Sequence, residues 1–317
     1  MSTWSIPKRR SYRPGFFRII IAFLVISCGI LCIYFVARGY NSSIISRNVM
    51  AVNTVIPAHS GMTTVDILDV GQGSAALLCF SDGKTLLVDS GPPSSEDKLM
   101  TYLDERNVDT LDCFVITHQH GDHAGNVSGV LDACRVKDIV FPVVPVNLLI
   151  DPARFEGIYK DISDHNLVIH NPERNEVILS GDGYSVTVLS DDSGDYEALN
   201  DYSIILRVTV GDISFLLMGD AEADTEQQLL LSGIYLHSDV LLVGHHGNRN
   251  ADSIPFLTAV SPDIAVISVG ENKFGQPSNS VLSRLSESDI AMYRTDEAGT
   301  VTFVTDGITY QVDCGVI

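Results

Sequence analysis

Three histidines and one aspartate fall within six consecutive positions of this chain, in the stretch THQHGDH. His118 and His120 are two residues apart, so in an extended segment both side chains project to the same side and can bind one metal ion. Gly121 lets the chain turn, after which Asp122 and His123 can face a second ion. Imidazole and carboxylate suit zinc, and the mixture also admits manganese or iron. The stretch therefore predicts two divalent metal ions, zinc or manganese.

Two further apolar runs end in residues that bind metals. FLLMGD ends at Asp220, and DVLLVGHH ends at His245 and His246. Because the run CFVITH before the first cluster has the same form, three strand ends would bring ligands to one edge of the sheets. His245 is favoured over His246 because it directly follows its strand, but both are kept. Asp122 and Asp220 are predicted to be catalytic, since they would hold the ions and orient the attacking water. The predicted metal ligands are His118, His120, Asp122, His123, Asp220, His245 and His246.

The order of these motifs resembles the metallo-β-lactamase superfamily. The HQHGDH run matches its signature, Asp220 its metal-bridging aspartate and the 245–246 pair its last histidine. Within the superfamily, DVGQG, LLMGD, VGHHG and YRTDEAG resemble the hydrolase domain of ComEC-type DNA-uptake proteins. The resemblance covers residues 62–317. It implies an α/β fold, a four-layer αββα sandwich with the metals along one edge. It also implies that Asp89, in LLVDSG, supports the metal loop.

Two departures from the family pattern bear on activity. Most members have a further histidine between His123 and Asp220, whereas ComEC-type domains have an Asn/Ser pair, which Asn200 and Ser203 match. The first ion is therefore expected to be weakly bound or ligated by water. Relatives also tend to read Gly-His-Pro where this chain has Gln276, which can hydrogen-bond a substrate but cannot shuttle a proton near neutral pH. The residues predicted to support the ligands or to contact substrate are Asp89, Asn200, Ser203, Lys273 and Gln276.

The beginning of the chain has a different composition. The stretch from Ile19 to Ala37 contains no charged residue and is about as long as a bilayer span requires. Basic residues precede it, which the positive-inside rule associates with a cytoplasmic N-terminus. A cleaved signal peptide and a lipobox at Val25–Cys28 are the alternatives. We predict a single-pass protein of a bacterial-type cell membrane with an extracellular catalytic domain. Its parts would be a cytoplasmic basic tail (1–15), a transmembrane anchor (16–38), a linker (39–61) and the hydrolase domain (62–317).

Charge limits the substrates that the domain can hold. The chain has 40 acidic and 20 basic residues, a formal net charge of −20. A broad DNA-gripping surface is disfavoured, because affinity for the phosphate backbone requires Lys and Arg. The predicted function is a membrane-anchored, metal-dependent phosphodiesterase or nuclease that uses a metal-bound hydroxide on DNA, a small diester or a wall polymer. The alternatives are a hydrolase of a lactone or other carbonyl ester, and a metal-binding module with little turnover.

A glycine-rich stretch near the start of the domain resembles a nucleotide-binding motif but is not predicted to bind a nucleotide. DVGQGSAAL resembles a dinucleotide-binding fingerprint, but only seven residues separate Gly73 from the turn that starts at Ser81. A parallel crossover needs a dozen or more residues, so antiparallel strands are predicted. Helices are predicted at 222–232 and 278–287, and a hairpin around the last Asp-Gly pair. Residues 141–199 are predicted to be the least regular part of the domain.

Overall fold

The computed structural model describes residues 61–149, 151–190 and 196–315. The predicted tail and anchor, and all of the predicted linker except its last residue, lie outside these residues and remain predictions. Within the described ranges, every helix is too short or too polar to cross a bilayer.

The described residues form two large sheets and a two-stranded ladder. In chain order, the strands are β1 (Thr63–Ile67), β2 (Ala76–Cys79), β3 (Thr85–Val88), β4 (Thr110–Leu111), β5 (Cys113–Val115), β6 (Arg135–Val136), β7 (Ile139–Val140), β8 (Ile169–His170), β9 (Val177–Gly181), β10 (Tyr184–Val188), β11 (Leu206–Val210), β12 (Ile213–Leu217), β13 (Val240–Leu242), β14 (Ile264–Ile267), β15 (Ala291–Arg294), β16 (Thr300–Thr305) and β17 (Tyr310–Gly315). One sheet has the order β17-β16-β1-β2-β3-β5-β7-β8, and the other β15-β14-β13-β12-β11-β10-β9. Strands β4 and β6 form the ladder.

Helices cover the outer faces of both sheets. They are α1 (Glu96–Glu105), α2 (Val127–Ala133), α3 (Pro152–Asp164), α4 (Ala223–Ser232), α5 (Ile254–Val260), α6 (Asn279–Glu287) and α7 (Thr295–Ala298). Alternate residues of a strand face opposite layers. In β2, Leu78 packs with Phe215 of the second sheet, whereas Leu77 packs with Leu99 of α1. The layer order is therefore helix, sheet, sheet, helix.

Several predicted elements are confirmed. Strands β1 and β2 pair antiparallel around the glycine-rich turn, as predicted, so this turn does not have the strand arrangement of a dinucleotide-binding fingerprint. The predicted helices at 222–232 and 278–287 are α4 and α6, and the last Asp-Gly pair joins β16 to β17.

The region expected to be least regular contains an unexpected helix, α3. The Asp151 side chain accepts a hydrogen bond from the Arg154 backbone nitrogen (3.1 Å) and thereby caps the helix. Phe155, Ile158 and Ile162 are buried on one face of α3 and pack against the first sheet. Their i, i+3, i+7 spacing is the signal that predicts an amphipathic helix.

Candidate metal centre

The histidine-rich loop after β5 is fixed by backbone contacts with the loop after β3. The Ser90 nitrogen donates to the His123 carbonyl (2.7 Å), and the Gly125 nitrogen donates to the Gly91 carbonyl (2.9 Å). A Cβ atom on Gly125 would lie 2.2 Å from that same Gly91 oxygen, so only glycine fits there. These backbone contacts and the close approach at Gly125 hold the first cluster of predicted ligands against the end of the sheet.

Four side-chain atoms converge into what we call the second donor set: Asp122 Oδ2, His123 Nε2, His246 Nε2 and Asp220 Oδ1. His123 Nε2 lies 3.0 Å from Asp220 Oδ1 and 3.3 Å from His246 Nε2. His246 Nε2 lies 3.4 Å from Asp122 Oδ2 and 3.5 Å from Asp220 Oδ1. A tetrahedral zinc ion with bonds of about 2.0–2.1 Å keeps its ligand atoms roughly 3.3–3.4 Å apart. Asp122, His123 and His246 each have a ligand atom within 4.8 Å of the others, and Asp220 Oδ1 lies near both imidazoles, so these residues can hold one such ion.

Both imidazoles of the second donor set are oriented from behind. His123 Nδ1 donates to Asp89 Oδ2 (2.7 Å), and His246 Nδ1 donates to the Ser268 carbonyl (2.8 Å). With the proton on Nδ1, each ring directs the lone pair of Nε2 into the set. Two such lone pairs 3.3 Å apart repel each other unless a cation or a proton lies between them. This arrangement is the one that histidine ligands of metal ions adopt.

Asp89 contacts both the ligand and the strand end that carries it. Its Oδ1 accepts from the Thr117 backbone nitrogen (2.7 Å), and its Oδ2 accepts from the Thr117 hydroxyl (2.8 Å). The carboxylate is buried, with 1% of the residue exposed. Asp89 thus lies behind His123, as the predicted supporting role requires.

We call His118 Nε2, His120 Nδ1 and Asp220 Oδ2 the first donor set, because His118 Nε2 lies near both of the other atoms. His118 Nε2 lies 3.0 Å from His120 Nδ1 and 3.5 Å from Asp220 Oδ2. Asp220 therefore contributes one carboxylate oxygen to each set. Its backbone nitrogen donates to the buried Ser203 hydroxyl (3.0 Å), which fixes the turn after β12.

His245 lies beside the first donor set. Its Nε2 is 3.6 Å from Asp220 Oδ2, and its Nδ1 is 2.6 Å from Glu222 Oε1. The Asn200 amide nitrogen lies 3.1 Å from His245 Nδ1. The structure thus places His246, and not His245, in the second donor set, although the sequence favoured His245.

Burial and charge set the ionisation of these groups in opposite directions. Burial lowers the pKa of His118 well below its usual value, which keeps the ring neutral. Burial acts in the same direction on His123, but Asp220 and Asp89 outweigh it and raise the His123 pKa well above its usual value. Burial would raise the pKa of Asp220, yet His123 and His246 lower it well below the normal range. The shared carboxylate is therefore ionised, as a metal ligand must be.

Comparison with known proteins decides the family. The sequence pattern of the metallo-beta-lactamase superfamily matches residues 68–271. The chain belongs to the metallo-β-lactamase superfamily.

Its relatives include ComEC-type competence proteins, which confirms the resemblance that the motifs predict. ComE operon protein 3 of Bacillus subtilis is 29% identical over 273 residues, which cover 80% of this chain and 34% of that protein. Recombination protein 2 of Haemophilus influenzae is 33% identical, over 75% of this chain and 28% of that protein. Competence protein ComA of Neisseria gonorrhoeae is 29% identical, over 75% of this chain and 32% of that protein. The chain thus spans about a third of the length of these relatives.

A solved structure supports the fold. CmlA, a diiron β-hydroxylase from Streptomyces venezuelae, matches with a TM-score of 0.52 at 17% identity, over 78% of this chain and 55% of that chain. At this identity the match shows the fold alone.

A cavity of about 860 Å³ opens over both donor sets of the metallo-β-lactamase domain. Gln276 lies in its wall, accepts from Gln72 Nε2 (2.8 Å) and donates to the His245 carbonyl (3.1 Å). Lys273 is exposed but lies outside the lining of this cavity. Ser203 is fully buried and contacts the Asp220 backbone, so it does not face a substrate.

Three neighbours of the two donor sets were not identified in the sequence. Glu222 contacts His245, whereas Phe274 and Arg249 line the cavity. Phe274 is 77% exposed although it is aromatic. Glu222 follows the Gly-Asp of the strand end by two residues, so its position next to a predicted ligand was available as a signal. The positions of Phe274 and Arg249 depend on how two separate loops meet, and the local sequence carries no signal for that.

Proposed function

We propose that this chain is a hydrolase of phosphodiesters that depends on two divalent cations, zinc or manganese. The observation that carries the proposal is the Asp220 carboxylate, which gives Oδ1 to the second donor set and Oδ2 to the first. A buried carboxylate with imidazole nitrogens close to both of its oxygens is the ligand expected between two adjacent ions. The donor atoms are nitrogen and carboxylate oxygen only, which suits zinc or manganese.

The side chains of the domain would hold and orient the reacting groups. When bound, the two cations would lower the pKa of a coordinated water and neutralise charge that develops on the scissile group. Asp122 and Asp220 would hold these cations and orient the attacking water. Asp89 would keep His123 in the tautomer that binds metal, since it accepts the Nδ1 proton. Gln276 lies in the cavity wall, where its amide can contact substrate.

Two residues at the cavity favour a phosphodiester over a carbonyl ester as the substrate. Arg249 is exposed at the cavity, and guanidinium binds phosphate oxygens in a bidentate manner. Phe274 is exposed beside it, and an exposed aromatic ring can stack on a nucleobase. One relative is named as a recombination protein, and the DNA that recombines is a phosphodiester polymer. DNA is therefore the first substrate to test, followed by small diesters and wall polymers.

The location of the enzyme is a second part of this proposal. The predicted anchor at 16–38, with its uncharged stretch from Ile19 to Ala37, would hold the chain in a bacterial-type membrane, with the basic residues before it in the cytoplasm. The metallo-β-lactamase domain would then act on the outer side, where DNA or wall polymers are accessible. Attaching a reporter enzyme that is active on one side only, at residue 1 or at residue 317, tests this orientation.

Turnover by the full-length chain, purified with detergent present, tests the activity. The chain is supplied with zinc or manganese and offered bis(p-nitrophenyl) phosphate, a lactone and the β-lactam nitrocefin. We expect the diester to be hydrolysed and the two carbonyl substrates to be spared. The His120→Ala variant, which removes one nitrogen of the first donor set, should abolish turnover.

Other outcomes would redirect the proposal. Hydrolysis of the lactone or of nitrocefin in preference to the diester would favour a carbonyl substrate. Bound metal without turnover of any of the three would indicate a binding module. Diester hydrolysis that survives in His120→Ala would indicate a contaminating enzyme and contradict the proposal.

A further inference from the structure

We propose that His245, oriented by Glu222, is a ligand of the ion at the first donor set, so that His245 and His246 bind different ions. The inference rests on the proposed function, since it assumes that both sets bind metal. The inference is based on the positions of these two consecutive histidines, which lie near different oxygens of the Asp220 carboxylate. His246 Nε2 is 3.5 Å from Asp220 Oδ1, and His245 Nε2 is 3.6 Å from Asp220 Oδ2.

His245 lies at nearly the same distance from Asp220 as His118, which belongs to the first donor set. His118 Nε2 lies 3.5 Å from Asp220 Oδ2, almost the distance of His245 Nε2 from the same oxygen. Both values are near the roughly 3.3–3.4 Å that separates ligands of one tetrahedral ion. Without His245, the first donor set has three atoms, whereas the second has four. His245 would make the two sets equal.

Glu222 fixes the ring in the orientation that ligation needs. Its Oε1 lies 2.6 Å from His245 Nδ1, and its Oε2 accepts from the Asn250 amide (3.2 Å). The Nδ1 proton is therefore engaged, and Nε2 directs its lone pair at Asp220 Oδ2. A carboxylate behind a histidine is a recurrent support of metal ligands and raises the basicity of the ring.

The backbone of both histidines has an unusual conformation, which directs the two rings to different oxygens of Asp220. His245 and His246 have φ values of 45° and 54°, which non-glycine residues adopt rarely and only where the surrounding structure enforces them. The His245 nitrogen donates to the Gly219 carbonyl (3.0 Å), which joins this turn to the strand end that carries Asp220. Two consecutive left-handed residues thus point their rings at the two sides of the shared aspartate.

A structural role for His245 is the competing explanation. A doubly protonated His245 would pair with Glu222 and Asp220 without any metal, and it would satisfy the same distances. The two explanations differ in what happens to the bound metal when the ring is removed. Metal content and affinity therefore separate them, independently of catalysis.

The test is a metal titration of the full-length chain and three variants, read by calorimetry and by elemental analysis after dialysis. The wild type should bind two ions. His245→Ala should bind one ion with the wild-type affinity of the second set, and lose the other. Glu222→Gln should keep both ions but bind the first about 10–100-fold more weakly, as loss of an outer hydrogen-bond partner typically does. Asp224→Asn, an exposed carboxylate two residues away, is the matched control and should be unchanged.

Cobalt spectroscopy supplies a second readout, and circular dichroism shows that each variant is folded. In the cobalt-loaded protein, His245→Ala should alter the visible absorption of one ion only. Two ions bound by folded His245→Ala with wild-type affinity would overturn the inference, as would a wild type that binds none. A wild type with two ions and no diester turnover, from which His245→Ala removes one ion, would refute the hydrolase but support this ligand.

Discussion

The two donor sets share Asp220 but differ in how firmly the structure holds them. In the second set, both imidazoles donate to acceptors behind them, Asp89 and the Ser268 carbonyl. In the first set, the buried His120 Nε2 has no hydrogen-bond partner among the described residues, and the side chain of His245 is 21% exposed at the cavity. We therefore expect the second set to bind its ion more tightly than the first.

Removal of the shared carboxylate should have the largest effect. Asp220→Asn takes a charged oxygen from both sets, so we expect both ions to be lost and diester turnover to fall by on the order of 10³-fold or more. Elemental analysis and kinetics on the same sample measure both losses. If the variant retained two ions, Asp220 would not be the shared ligand. Asp224→Asn serves as the control here as well.

Substitution of Asp89, which lies behind the second donor set, should weaken the binding of one ion and not of the other. Asp89→Asn removes the charge that orients His123, so the second ion should bind about 10–100-fold more weakly while the first is nearly unaffected. Competition with a chromophoric chelator measures the two affinities. Equal weakening of both ions would contradict a main role through His123 and would indicate that Asp89 acts through Thr117, which precedes His118.

The loop beneath the second set should tolerate no added methyl group. Gly125→Ala places a Cβ within 2.2 Å of the Gly91 oxygen, which is backbone and cannot easily move. We expect the free energy of unfolding to fall by about 1–3 kcal/mol. Gly157→Ala is the matched control, because it meets open space within α3 and should stabilise the helix by roughly 0.5–1 kcal/mol. Urea denaturation distinguishes the two, and equal stability would show that the loop adapts.

The smallest predicted effect is the release of protons on metal binding. In the metal-free protein burial lowers the pKa of His123, but Asp220 and Asp89 raise it well above its usual value. Burial lowers the pKa of His118 and of His120, so these rings are already neutral at pH 7. Burial lowers the pKa of His245 as well, but Glu222 and Asp220 raise it above its usual value. Metal must therefore displace a proton from His123 of the second set and from His245, the proposed ligand of the first, but none from His118 or His120. Below the raised pKa of His123 and of His245, the affinity of each set should rise with pH, by up to about tenfold per pH unit.

Calorimetry in buffers of different ionisation enthalpy counts these protons. At a pH below both raised pKa values, the result expected is proton release with each ion, from His123 at the second set and from His245 at the first. Binding of the first ion without proton release would contradict the proposal that His245 is its ligand.

The resemblance of the motifs to a known family was sufficient to predict the layers of the fold, and the ends of the apolar runs were sufficient to predict which residues come together. Apolar runs that end in Gly-Asp or Gly-His-His mark strand ends, and strand ends at one edge meet. Asp220 and the 245–246 pair were found in this way. The donor set to which each ligand belongs was harder to predict from the sequence. His245 directly follows its strand run and was favoured, but two left-handed residues in succession turn His246 toward the second set instead.

The parts that could not be predicted depend on contacts between distant segments. Arg154 of α3 reaches the histidine-rich loop, where its Nη2 donates to the Ala124 carbonyl (3.4 Å). Nothing in the sequence around 154 signals that contact. Lys273 was predicted to contact substrate, yet it lies outside the cavity lining, which Phe274 reaches instead. Loop geometry decides such positions, and charge alone does not.

Anomalous X-ray diffraction from crystals grown with zinc tests the central claim most directly. We predict two anomalous peaks on either side of the Asp220 carboxylate. One should lie about 2.0–2.1 Å from His123 Nε2 and His246 Nε2, and the other at a similar distance from His118 Nε2 and His120 Nδ1. A single peak far from Asp220, or no peak in crystals of protein that binds zinc in solution, would contradict the account.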